Sequence, residues 1–141
     1  MTMHHQTLVN LLLSCHENPS SGKAETAEGD IYQNVINDLR ILTKIVENPK
    51  RSFGAREQAA FFFTLWYWQE QPDNHSLAFD YYEMKNNHAL CVRRGVLGAL
   101  DEVGAVEEIK FFLDDEIENI RKQAAQTIRI WTVPVIGKKE K

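Results

Sequence analysis

Cysteine is scarce in this 141-residue chain: Cys15 and Cys91 are the only two, far apart and in unlike contexts. They match no metal-ligand or redox spacing and imply no disulfide framework, so a reducing cytoplasm is the expected setting. Long apolar runs are missing too. No stretch approaches the roughly 18 to 20 apolar residues that a bilayer-crossing helix needs, and no membrane span is expected. There is no glycine-rich phosphate loop, no serine elbow and no recognisable cysteine–histidine arrangement. His4, His5, His16, His75 and His88 never fall at a spacing that puts two ligands on one helix face, so no metal site is expected. Without these, the chain reads as non-enzymatic, with no cofactor. A basic excess is also lacking: 16 Lys and Arg face 20 Asp and Glu, a formal charge of −4. Phosphate contacts supply most nucleic-acid affinity, so nucleic acid is not an expected partner, although Arg40, Lys44, Lys50 and Arg51, and later Arg121, Lys122 and Arg129, form small basic clusters.

What is present is an ordinary globular composition, 43% apolar and 26% charged, in a chain long enough for one core and too short for two substantial domains. A single helical domain is expected over 1–133, with 134–141 as a disordered tail. Leu12-Leu13-Ser14-Cys15 has the look of a lipoprotein lipobox, but Met1 to Gln6 holds no Lys or Arg and Leu8 to Leu13 is interrupted by Asn10. The segment is expected to be an amphipathic helix from about Met3 to His16, burying Leu8, Leu11, Leu12 and Cys15. Glu17 to Gly29, with Pro19, paired serines and two glycines, shows no periodic apolar face and predicts a flexible linker.

Asp30 then reads as an N-cap, and Ile31, Val35, Leu39, Leu42 and Ile45 predict one helix ending before Pro49. Helices are predicted from about Ser52 to Pro72, Asn74 to Lys85, His88 to Glu102, Ala105 to Leu113 and Glu116 to Trp131. Together they pair into three helical hairpins, the last with a tight turn at Gly104.

Self-similarity joins these helices. Val92-Arg93 and Ile120-Arg121 open two of them, and Ala55-Arg56 is a remoter version, so the arginines stand at 56, 93 and 121 with spacings of 37 and 28. Arg56-Glu57-Gln58-Ala59-Ala60 and Arg121-Lys122-Gln123-Ala124-Ala125 differ at one position. Repetition at this period marks a stacked helical-hairpin array. On these residues the chain resembles the HEAT-like repeat family in its short bacterial form, the type found in phycobilisome lyases. The resemblance is specific in the last hairpin and looser toward the front, where Ala55 and Phe61-Phe62-Phe63 depart from the pattern. It implies an all-α solenoid of about three hairpins plus an N-terminal helix. It also implies that Val92 and Ile120 are core residues and that Arg93 and Arg121 brace neighbouring turns, with Asp114 or Asp115 as acidic partners. Relatives by fold include DNA glycosylases and proteins resembling bilin lyases.

Solenoids present an open face and bind extended surfaces more often than they catalyse. Two surface features fit a protein partner. From Asp101 to Glu118, the acids Asp101, Glu102, Glu107, Glu108, Asp114, Asp115, Glu116 and Glu118 face one base, Lys110, a density that would steer a basic partner. The block Phe61 to Trp68 is aromatic all round its helix; burial accounts for most of it, and Tyr67 or Trp68 could anchor a partner, with Tyr81, Tyr82 and Trp131 as lesser candidates. The sequence thus predicts a protein-binding module, most specifically a stoichiometric inhibitor or immunity protein capping a basic partner such as a nuclease toxin. The alternatives are a general adaptor or assembly scaffold and, third, a DNA-processing enzyme of the same fold.

Overall fold

A computed structural model describes residues 5–17, 22–36, 38–70 and 75–132, and every regular element among them is helical. The order is α1 (His5–Glu17), α2 (Gly22–Val35), α3 (Arg40–Glu47), α4 (Phe53–Glu70), α5 (His75–Lys85), α6 (Leu90–Val103), α7 (Val106–Ile109), a 3-10 turn (Lys110–Asp114) and α8 (Glu118–Thr132). The tail expected over 134–141 lies outside the described residues, as does the middle of the expected linker.

The core is built round α4. Its apolar residues run round the whole helix because α1, α3, α5 and α6 each pack on it, so no side is left to water over most of its length. The α4–α6 contact is the closest, and Gly95 is the reason. A side chain there would meet the Glu57 carbonyl and the Ala60 Cβ, the latter at 2.9 Å. Amphipathic spacing supplies the other faces: Leu8, Leu12 and Cys15 on α1, Ile41, Leu42 and Ile45 on α3, and Leu77, Tyr81 and Met84 on α5 are all buried. Val9, absent from the expected stripe of α1, is buried as well. Burial raises the Cys15 thiol to about 11, with the Glu28 charge adding to the effect, so it carries little thiolate at neutral pH.

Two expectations fail at the front of the chain. The stretch read as a linker, 17–29, is helical from Gly22 onward, and Asp30 lies inside α2 rather than capping it. Ala27, Ile31 and Val35 form a buried stripe at four-residue spacing, one position of which is an alanine too small to register as an apolar signal. The single helix predicted from Ile31 to Ile45 is two helices. Asp38 interrupts it by accepting the Arg40 N–H at 3.2 Å, a local bond that competes with continuing the helix.

Farther along, α6 ends in a Schellman turn. Gly104 takes φ +68°, Ala105 N–H bonds the Leu100 carbonyl at 3.0 Å, and Gly104 N–H bonds Asp101 at 3.1 Å. The helix expected over 105–113 is α-helical only to Ile109 and then tightens. Ile109 and Phe112, three residues apart, are both fully buried, and three residues per turn is the winding that points both inward. Phe111 and Leu113 are consequently turned outward. No described helix is long and apolar enough to cross a membrane.

Candidate functional site

The three repeat arginines do the same job. Arg56 Nε donates to the Val46 carbonyl at 2.9 Å, Arg93 Nε to Asn87 at 2.8 Å and Arg121 Nη1 to Asp115 at 2.6 Å. Each sews its helix to the chain segment just before it, satisfying a carbonyl no helix ladder supplies with a donor. Arg93, itself buried, does more: Nη1 lies 2.7 Å from Asp115 Oδ1, and Nη2 lies 2.8 Å from Glu116 Oε1 and 3.1 Å from His88 Nδ1. Val92 and Ile120 are core residues, and Ala124 is buried while Ala125 is exposed.

Arg93 thereby claims two of the carboxylates read as partner-facing. The Asp115 side chain is only 8% exposed, and its Oδ1 also accepts the Ile117 N–H at 2.8 Å. It is therefore a structural acid, and Arg121 uses its carbonyl rather than its carboxylate. Glu116 remains exposed; the Arg93 and then the His88 hydrogen bonds hold it below the ordinary carboxylate range. Others in the acidic run are engaged nearby: Asp101 accepts from Trp131 Nε1 at 3.0 Å, Glu107 pairs with Lys110 at 2.8 Å, and Glu118 pairs with Lys122 at 3.2 Å. Glu102 and Asp114 are exposed. The field offered to a partner is correspondingly smaller than the sequence count suggests.

The aromatic block is mostly interior. Phe62, Phe63 and Trp66 are buried, while Tyr67 and Trp68 are half-buried under α5. Tyr67 stacks on Tyr81 with centroids 5.3 Å apart, and Trp68 meets the same ring edge-on at 5.7 Å. The exposed rings lie outside this block: Phe53 at the start of α4, Phe79 and Tyr82 on α5, Phe111 on the 3-10 turn, and Trp131 on α8.

Tyr82 and Phe111 both stand within 6.0 Å of the Lys85 ammonium. An open groove of about 450 Å³ runs between the end of α5, the start of α6 and the 3-10 turn, lined by Lys85, His88, Arg93, Phe111, Asp114 and Glu116 among others. Lys85 Nζ lies 3.1 Å from Glu108 Oε1 and 4.7, 5.6 and 6.0 Å from the ring centroids of Phe111, Tyr81 and Tyr82. Tyr81 donates its hydroxyl to the same Glu108 oxygen at 2.7 Å; burial first, and that bond second, push its phenol far above the ordinary tyrosine value. Across groove and rim, Lys85, Arg93 and Lys110 face Glu107, Glu108, Asp114, Asp115 and Glu116, leaving carboxylates in surplus. Sequence reasoning flagged only the acids and, weakly, the tyrosines. Tyr81 and Tyr82 stand four and three residues before Lys85, a same-face spacing on a helix that was readable; the arrival of Phe111 was not.

Among the described residues, no group of three His, Cys, Asp or Glu is placed to hold a metal ion. No family model matches the chain, and no curated protein and no solved structure matches it either.

Proposed function

We propose that this chain is a stack of HEAT-like helical hairpins that acts by binding a basic protein, as a stoichiometric inhibitor of the immunity-protein kind. The hairpin reading is supported by Arg56, Arg93 and Arg121, which repeat in sequence and repeat the same carbonyl-bridging contact. The binding reading is carried by the groove and its edge: Phe111 in the lining, 44% exposed, and Tyr82 beside Lys85, 58% exposed, with a surplus of carboxylates. Aromatic rings give contact area at low entropic cost and attract cations, and exposed carboxylates steer them. The anchors proposed here are thus Tyr82 and Phe111, in place of Tyr67 and Trp68, and the steering acids are Asp114 and Glu116, joined by exposed Glu102.

The test is capture from the native host with tagged protein, eluted by rising salt, followed by titration of the captured protein against variants. One stoichiometric basic protein is expected, its affinity falling about tenfold for Phe111→Ala and for the double reversal of Asp114 and Glu116 to lysine. Affinity unchanged by both variants, or flat with salt, overturns the reading.

A further inference from the structure

The surroundings of Lys85 exceed what a structural ion pair requires. Glu108 alone neutralises its charge, yet three rings also stand within 6.0 Å of the ammonium. Two of those rings, Tyr82 and Phe111, leave much of their area in water, and Phe111 lines the groove. The carboxylate does not depend on Lys85 for its position, because the Tyr81 hydroxyl holds the same Glu108 oxygen at 2.7 Å. A carboxylate held in place without its occupant, with ring faces beside it, is the makings of a cation receptor. Lysine is also the occupant best able to leave, since its ammonium rides on a flexible stem from the last turn of α5.

We propose that Glu108, Tyr81, Tyr82 and Phe111 form a seat for an alkylammonium group, which Lys85 fills in the free protein and a lysine side chain of the basic partner takes over on binding. The partner clause rests on the function proposed above; the seat itself does not. Asp114 and Glu116, at the groove mouth, neutralise the Lys85 ammonium once it swings out. A primary ammonium is the preferred ligand, because Glu108 accepts a hydrogen bond that a quaternary one cannot donate.

The probe is n-butylammonium, with tetramethylammonium as the quaternary counterpart, titrated into the full chain while ring-proton shifts of Tyr82 and Phe111 are followed by NMR. Lys85→Ala, checked for unchanged helix content, is expected to bind n-butylammonium saturably and about tenfold more tightly than the unsubstituted protein. Adding Phe111→Ala should remove that gain. Binding of Lys85→Ala no tighter than the parent, or a gain that survives Phe111→Ala, overturns the proposal; tighter tetramethylammonium binding overturns the assignment to lysine. Should Lys85→Ala not fold, the parent protein decides: n-butylammonium must displace Lys85, seen as a saturable shift of its ε-methylene signal, and no shift overturns the seat. Because these titrations contain no partner, ammonium binding without capture of a basic protein sinks only the functional reading, and the reverse sinks only the seat.

Discussion

Arg93 and Asp115 form the contact on which the turn before α8 depends, and both side chains are below one-tenth exposed. Removing one member of a buried pair strands the other, so Arg93→Ala is expected to cost about 3 to 5 kcal/mol, read from urea denaturation midpoints. Arg93→Lys should recover little, since one ammonium cannot span the Asn87 carbonyl, Asp115 and Glu116 together. Tyr81 gives a pH test. Its phenol pKa is raised by folding, so the stability it confers is complete below the ordinary value of 10.0 and fades as pH rises above it. Tyr81→Phe should therefore flatten the loss of stability as pH rises from about 10 to about 12. At Gly95, alanine would push against the Glu57 carbonyl, which is backbone and cannot step aside; a cost of about 1 to 3 kcal/mol is expected in the same assay. The importance of Arg93 was legible from its place in a repeat. The split between an Asp115 carboxylate bonded to Arg93 and an Asp115 carbonyl bonded to Arg121 was not, because spacing names neighbours without saying which atom each offers.

Among the helices, those with clear boundary signals were legible: α4, α5 and α6 begin and end within about two residues of where caps, prolines and Gly104 put them. The Gly104 turn was readable for the same reason, since few residues other than glycine accept its φ. What escaped were elements whose signal is weak in composition. In α2 the stripe Ala27, Ile31 and Val35 starts on alanine, and the helix formers Lys23, Ala24 and Glu25 were outweighed by nearby glycine and serine. Gly29 sits in that helix with nothing within 4 Å of where a Cβ would stand. Gly29→Ala is accordingly expected to stabilise the protein by about 0.5 to 1 kcal/mol, visible as a raised melting temperature. The groove belongs to this scale too. α5 brings Lys85, while the 3-10 tightening after Ile109 turns Phe111 toward it, so a change of helix type creates a wall that helical periodicity alone would have placed elsewhere.

Across the molecule, packing is uneven: α4 is enclosed by four helices, whereas α8 meets mainly the 3-10 turn, α7 and α6. Trp131 reinforces that outer attachment. Its indole N–H holds Asp101 at the end of α6, and its ring lies over Gly104, close enough that a Cβ there would sit 3.2 Å from it. One consequence concerns amide hydrogen exchange. Opening that frees α8 leaves the four-helix surround of α4 intact, so α8 amides should exchange through a partial opening of lower free energy, while those of α4 wait for global unfolding. Trp131→Ala should widen that gap in native-state exchange measured at low denaturant, and equal protection of α8 and α4 would mean that the chain opens as a single cooperative unit.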